Sequence, residues 1–346
     1  MDDPTLVVRG SKAQIEATFD MIILLWLLLG IPLSWKKGLV YGREEEHRWI
    51  GIIYSVRSDG AIMRLPPDFV KDLLVLLEPL TKTTGSIGLN ELDIIIGKAA
   101  RVAHVVPAAK PFVASLWGAL SGTRTATRTG RKEAPPGRAP CRRFCYAAAW
   151  LRALLLEDGS SPIPLERLVT PMPPPRATQS SWWVEFDASP YGGGAILKDP
   201  SGVVVEHFEV VWDGSEAPHL QVRIADPAFQ SFWEFATLLL VLLVWGDRFC
   251  IEVLVILGDN TAALTNALNL KGRGCLLAVA REISWRQARR GWRFETGHLP
   301  SEYNVIADAL SRTSDPKGKG WPAAALANSS SVSPPRLAQI WLACPR

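Results

Sequence analysis

Four carboxylates follow one another in the second half of the chain, Asp187, Glu234, Asp259 and Asp308, each in a different local setting. Residues 182–189, Trp-Trp-Val-Glu-Phe-Asp-Ala-Ser, read as a β-strand carrying Asp187 near its end. Glu234 opens the apolar helical run 235–245. Residues 251–257 are nearly all apolar, the mark of a strand buried on both faces, and run into Gly258-Asp259-Asn260. Asp308 belongs to the short amphipathic helix 304–312. Strand ends and helix starts gather at one edge of an open mixed sheet, and four carboxylates there would repel one another without a cation. Hard divalent ions held by oxygen ligands resolve that repulsion and clamp a phosphodiester for in-line attack. The chemistry so implied is metal-dependent nucleic-acid hydrolysis.

These residues need an α/β frame. The Gly192-Gly193-Gly194 run begins a return strand, and 203–207 and 208–212 read as strands that complete an antiparallel meander. Residues 229–245 form the helix that covers the meander, and 292–295 a further short strand. On a helix at 276–290, Arg281, Arg286, Arg289 and Arg290 either face a polyanionic substrate or form an ordinary solvated face.

Phe186-Asp187-Ala188-Ser189, the Glu234-Phe235-Ala236-Thr237-Leu238 stretch, Gly258-Asp259-Asn260-Thr261-Ala262-Ala263-Leu264 and the segment 298–312, His-Leu-Pro-Ser-Glu-Tyr-Asn-Val-Ile-Ala-Asp-Ala-Leu-Ser-Arg, resemble the ribonuclease H domain of retrotransposon polyproteins. The last is the most specific, with a histidine ten positions before the final aspartate. The resemblance implies a ribonuclease H-like mixed five-stranded sheet flanked by helices over 181–314, and hydrolysis of the RNA strand of an RNA/DNA hybrid. It also implies two magnesium ions, or manganese in their place. Asp187 would bridge both ions, Asp308 would serve the water-activating ion, and Glu234 and Asp259 the leaving-oxygen ion. His298 would assist proton movement or product release, and Asn260 would contact the hybrid in its minor groove, where 2′-hydroxyls mark RNA.

The first half of the chain extends the resemblance. Met1-Asp2-Asp3, a helix from about Lys12 to Leu29, the segment 30–38 and a strand over 48–54 resemble the last palm motifs of reverse transcriptases. Residues 1–56 are therefore expected to be a partial palm in which Asp2 and Asp3 are a vestigial polymerase metal site. Two aspartates alone cannot assemble a two-metal site, so DNA synthesis is not expected. Helices from Pro67 to about Leu77 and from Leu89 to Val105 give 57–122 the character of a thumb and connection. Residues 123–180 read as a basic and Pro-rich linker with one helix over 142–157, and 315–346 as an unstructured tail.

With 346 residues, 48% apolar and 21% charged, the composition is that of a globular chain with room for two or three domains. The net charge of +4 is concentrated between Arg124 and Arg143, where seven basic residues face Glu133 alone. That segment is either a tether or a phosphate contact. Five scattered cysteines fit a reducing compartment, cytoplasm or nucleus, better than a disulfide framework, and Cys141 and Cys145 lack the second pair that a zinc site needs. The apolar runs 21–30 and 235–245 are shorter than the roughly 20 residues of a membrane span and are expected to be core helices. The expected partners are an RNA/DNA hybrid and the remaining reverse transcriptase portion or other element-encoded proteins, with no membrane. A transposase would order its acids Asp, Asp, Glu, whereas here Glu234 is second. A catalytically inactive nucleic-acid-binding remnant remains the alternative.

Overall fold

The computed structural model describes residues 8, 10–31, 45–58, 60–128, 135–156, 163–169, 181–216, 220–249, 253–318 and 321–341. Asp2 and Asp3, and most of the segment 30–38, lie outside them. The chain divides into two compact units, Met1–Phe69 with Leu165–Pro174, and Val70–Pro164 with Pro175–Arg346.

In the first unit, helix α1 (Lys12–Leu28) starts at a capping box made by Ser11 and Gln14. Strands β1 (Glu46–Trp49), β2 (Ile52–Val56) and β3 (Ala61–Arg64) form an antiparallel sheet that β6 (Glu166–Val169) closes on the β3 side. Two expectations change here. The stretch expected to be one strand over 48–54 is a hairpin, because Ile50 and Gly51 adopt φ of 47° and 70°, the positive pair of a type I′ turn. The apolar run 21–30 is not core: no residue of α1 is buried, and Leu28 is 76% exposed. A helix that is apolar all round needs a covering surface on every side, and the short strands described in this unit do not supply one.

The second unit begins with helices. Most of α2 (Pro67–Leu77) belongs to it, followed by β4 (Ser86–Gly88), α3 (Leu89–Val105), α4 (Lys110–Arg128), β5 (Arg138–Pro140) and α5 (Cys145–Leu155). On α3, Leu92, Ile95, Ile96, Ala99, Val102 and Val105 are buried at the three-and-four spacing of one helix face. The expected linker is only partly one. Residues 123–128 continue α4, and β5 pairs with β4, because Thr123 and Ala126 are buried on the inner face of α4 and Arg138 bonds Ser86. The helix expected over 142–157 is a 3₁₀ turn at Cys141–Arg143 followed by α5.

The rest of this unit is a mixed sheet flanked by helices. Strands β7 (Trp183–Ser189), β8 (Gly192–Lys198) and β9 (Val204–Val211) form the antiparallel meander, with β9 one continuous strand where two were expected. Next come α6 (Gln230–Trp245), β10 (Leu254–Gly258), α7 (Thr261–Asn269), α8 (Cys275–Arg290), β11 (Phe294–His298), α9 (Val305–Ser311), α10 (Ala323–Leu326) and β12 (Ser330–Ser331). The strand order is β11-β10-β7-β8-β9-β12, with β10 parallel to both β7 and β11. Residues 227–249, which include α6, are apolar and long enough to cross a bilayer by composition alone, yet Phe232, Trp233, Phe235 and Trp245 are buried against the sheet. This helix is the centre of the core.

Of the arginines of α8, Arg281 and Arg286 serve packing, while Arg289 and Arg290 are exposed. Arg281 bonds Ser115 Oγ at 2.6 Å and lies over the rings of Phe112 and Tyr146, while Arg286 is buried and donates to the Ile340 carbonyl. Arg289 lies over Trp285, and Arg290 bonds Asp247. Phe112 stacks on Trp150 with centroids 3.6 Å apart, and Trp150 meets Trp285 edge-on, so the helical layer packs against α8 of the sheet domain.

The expected unstructured tail is also corrected. It adds the sixth strand, β12, parallel to β9, and Leu337, Ile340 and Trp341 are buried. Those three residues fall within one turn and act together, although the surrounding Ser, Pro and Ala hide them in a composition average. Trp341 Nε1 donates to the Glu216 carbonyl at 2.6 Å, and its ring lies against Phe232. Trp341→Ala is expected to destabilise the protein by about 3–5 kcal/mol, the usual cost of emptying a buried aromatic site, as read by urea denaturation. A change under about 1 kcal/mol would show that the tail contributes no packing.

Candidate metal centre

Strand register begins the site. Leu257 pairs with Glu185 across the parallel β10–β7 ladder, and continuing that register two residues sets Asp259 level with Asp187. The pairing ends there, because β10 stops at Gly258 while β7 runs on to Ser189. Glu234 comes from α6, whose first turn is tied to β7 by Gln230 Nε2 donating to the Ala188 carbonyl at 2.5 Å. One carboxylate oxygen from each of Asp187, Glu234 and Asp259 lies within 4.8 Å of the other two.

The three-glycine run that opens β8 lets helices approach from both faces of the sheet. A Cβ on Gly193 would stand 2.4 Å from Thr237 Oγ1 of α6, and one on Gly194 would stand 2.3 Å from Leu310 Cβ and 2.8 Å from Ser311 N of α9. Alternation along the strand thus gives α6 one face and α9 the other. Ser189 Oγ donates to the Ser311 carbonyl at 2.6 Å, and Asn304 Nδ2 to the Phe186 carbonyl at 2.8 Å, which fastens α9 along β7. Gly194→Ala would force α9 off the sheet. Its expected result is a loss of about 1–3 kcal/mol in stability, the usual cost of overpacking. An unchanged thermal melt would show that α9 is not held by this contact.

Each carboxylate has a fixed partner. Ser311 Oγ donates to Asp187 Oδ2 at 2.6 Å, Gln230 Nε2 to Glu234 Oε1 at 2.9 Å, and Ser301 Oγ to Asp259 Oδ2 at 2.7 Å. Glu234 Oε2 is buried with no hydrogen-bond partner. Burial, reinforced by the charges of Asp259 and Asp308 and opposed by the Ser311 hydroxyl, raises the Asp187 pKa to about 7. Burial, with the charges of Asp187 and Asp259, pushes Glu234 well above the usual carboxylate range. Two acids raised above the usual carboxylate range and one orphaned oxygen fit a hard divalent cation with an all-oxygen ligand set, such as magnesium or manganese.

The remaining expected site residues lie around this triad. Asp308 stands beside it, close enough for its charge to raise the Asp187 pKa, with Oδ1 accepting from Arg312 Nε at 2.5 Å. His298 is exposed at the end of β11, paired with Gly258, one strand from Asp259. Asn260 caps α7 through Oδ1, which accepts from Ala263 N, so a ligand contact would come from its Nδ2. Sequence reading did not single out Ser311, Gln230, Ser301 and Arg312 as partners. Their spacing was available for two of the pairs: Gln230 lies four before Glu234 and Arg312 four after Asp308.

The sequence matches no protein-family model and no curated protein. Among solved structures, ribonuclease H1 from the halophilic archaeon Halobacterium salinarum NRC-1 aligns at 18% identity and TM-score 0.30, over 38% of this chain and 96% of that one. LC11-RNase H1 in complex with an RNA/DNA hybrid aligns at 16% identity and TM-score 0.30, over 38% and 93%. The foamy viral protease-reverse transcriptase in complex with an RNA/DNA hybrid aligns at 14% identity and TM-score 0.30, over 86% of this chain and 35% of that one. At these scores the reading of the carboxylates rests on their own geometry.

Proposed function

We propose that this chain is a metal-dependent endonuclease that hydrolyses the RNA strand of RNA/DNA hybrids, within a reverse transcriptase and ribonuclease H arrangement of retrotransposon type. The observation that carries the reading is the convergence of Asp187, Glu234 and Asp259 from two strands and a helix, with the buried Glu234 Oε2 unpartnered among them. A buried carboxylate oxygen without a hydrogen bond is costly, and a ligand cation is the partner that offsets that cost. Magnesium bound there would supply charge neutralisation and Lewis acidity at the scissile phosphate.

Within this reading Asp187, Glu234 and Asp259 hold the ion, and Ser311, Gln230 and Ser301 fix how each carboxylate presents its oxygens. Asp308 adds a fourth carboxylate at the side of the site. His298, exposed at the strand end next to Asp259, carries a proton to or from the leaving oxygen. Asn260 Nδ2 donates to the hybrid, where a 2′-hydroxyl separates RNA from DNA. Incubating the full chain with an end-labelled RNA/DNA hybrid and magnesium tests the assignment: internal cleavage of the RNA strand, abolished by chelation, is expected. Hybrid binding without cleavage at any magnesium or manganese concentration would leave the catalytically inactive binding remnant in its place.

A further inference from the structure

We infer that His207 is an acid-sensitive latch: its neutral ring holds the tail segment 321–332 against the sheet, and its protonation lets that segment go. His207 lies on β9, paired with Ile196 of β8 on one side and with Ser331 of β12 on the other. Its Nδ1 is 2.8 Å from Ser329 Oγ, and Trp321 meets the ring edge-on with centroids 5.8 Å apart. Two side chains of the tail thus close on one imidazole. The Ser329 hydroxyl has a single proton and donates it to the Leu326 carbonyl at 2.9 Å, so toward His207 it accepts, which sets the ring proton on Nδ1. An incoming proton must therefore go to Nε2, which has no hydrogen-bond partner among the described residues.

That second proton is costly here. His207 is 5% exposed, and the elements packed on it bring little compensating charge. Glu209, two residues further along β9, is the carboxylate whose field reaches the ring. Glu206, the adjacent acid, points to the other face, where it pairs with Arg248 and Trp245. Lys198, the only charged residue of β8, is paired with Glu185, and at the end of α9 Asp308 and Arg312 are paired with each other. The residues of α10 and β12, Ala-Ala-Ala-Leu and Ser-Ser, carry no charge. Burial outweighs Glu209 and holds the His207 pKa below its ordinary 6.5, so the associated stability is complete above about pH 6.5 and is lost as pH falls below it. A charged ring gains water by moving Ser329 and Trp321 aside. Leu326 is buried with Ile196 and with Leu310 of α9, so the same release uncovers the outer side of α9. The end of the tail is anchored separately, because Leu337, Ile340 and Trp341 belong to the core around α6.

Amide hydrogen exchange of the full chain at pH 8 and pH 5, divided by the intrinsic exchange rate at each pH, tests this. Protection over 323–332, which includes the Val332 N–H bonded to the His207 carbonyl, is expected to fall several-fold at pH 5. Protection in α6, on the other face of the sheet, is expected not to fall. His207→Asn keeps an N–H beside Ser329 and cannot titrate, so its tail should be equally protected at both pH values. Ser329→Ala leaves β9 unaltered and removes the acceptor of the ring proton, so its tail should already be less protected than wild type at pH 8, and this variant decides should Asn disturb β9. Equal wild-type protection of 323–332 at the two pH values, or a fall shared by α6, would overturn the latch. So would an equal fall in His207→Asn, or an unchanged tail in Ser329→Ala at pH 8. None of these outcomes bears on the metal-site reading, which the cleavage assay tests by itself.

Discussion

Asp187→Asn is expected to remove hybrid cleavage while leaving hybrid affinity within a few-fold of wild type. Asp187 lies at the centre of the site: its carboxylate is 4% exposed, within ligand distance of Glu234 and Asp259, and under the charge of Asp308. Asparagine keeps the shape and the bond from Ser311 but gives up the negative charge that draws a cation between the strands. The loss in rate should be at least roughly 10²- to 10³-fold, the scale of deleting one preorganised electrostatic group, and greater if ion binding fails altogether. Binding should survive because so buried a residue offers almost no surface to a nucleic acid, whose backbone contacts dominate affinity. Single-turnover cleavage at saturating enzyme and a parallel filter-binding titration read the two quantities separately. Cleavage within tenfold of wild type would refute the assignment of Asp187.

The second large effect is a pH-dependent stability that magnesium reverses. In the metal-free protein Asp187 titrates near pH 7, raised from the ordinary 3.8, first by burial and then by neighbouring charge. A raised carboxylate pKa means that the folded state keeps a proton the unfolded chain releases. The associated stability is complete below about pH 4 and is lost as pH rises to about 7, on the order of 4 kcal/mol for a shift of this size. Glu234 acts in the same direction. His207, whose pKa burial lowers, acts in the opposite direction, gaining stability as pH rises through the ordinary histidine range. Asp199 and Glu206, held low, are already ionised at pH 5 and do not contribute above it. Asp187→Asn isolates the effect. Melted in chelator, wild type should lose more stability between pH 5 and pH 8 than the variant does. Magnesium should restore wild type at pH 8 much more than at pH 5, by about 2.7 kcal/mol at a hundredfold excess over its dissociation constant. Equal pH slopes in wild type and variant, or equal magnesium stabilisation at both pH values, would show that Asp187 does not titrate as its burial requires.

The sequence by itself determined the elements and the identity of the acids. Alternation and turn chemistry marked β7 and β8, and the long apolar run marked α6. A proline at each boundary fixed α2 and the end of α3, because a ring without an N–H leaves little choice about where a helix starts or stops. Asp187, Glu234, Asp259 and Asp308 were visible because each lies in or just after an element whose local pattern is clear, although only Asp259 stands at an element boundary. Where the local signal was an average it misled. The Ser- and Pro-rich tail hid Leu337, Ile340 and Trp341, the apolar run of α1 read as core without a surface to cover it, and two positive φ angles turned one strand into a hairpin.

Only the tertiary structure decided which acids meet. Asp187 and Asp259 come level through a parallel register between strands more than sixty residues apart, and that register depends on side-chain packing across the sheet rather than on either strand alone. Glu234 reaches them because α6 lies against Gly193, and α9 reaches the other face because Gly192 and Gly194 carry no side chain. The division of the four acids into a close triad and an Arg312-bound Asp308 was not legible at all. It depends on distances of a few ångströms between separate elements, and side-chain type and spacing along a chain do not encode such distances until the core has packed.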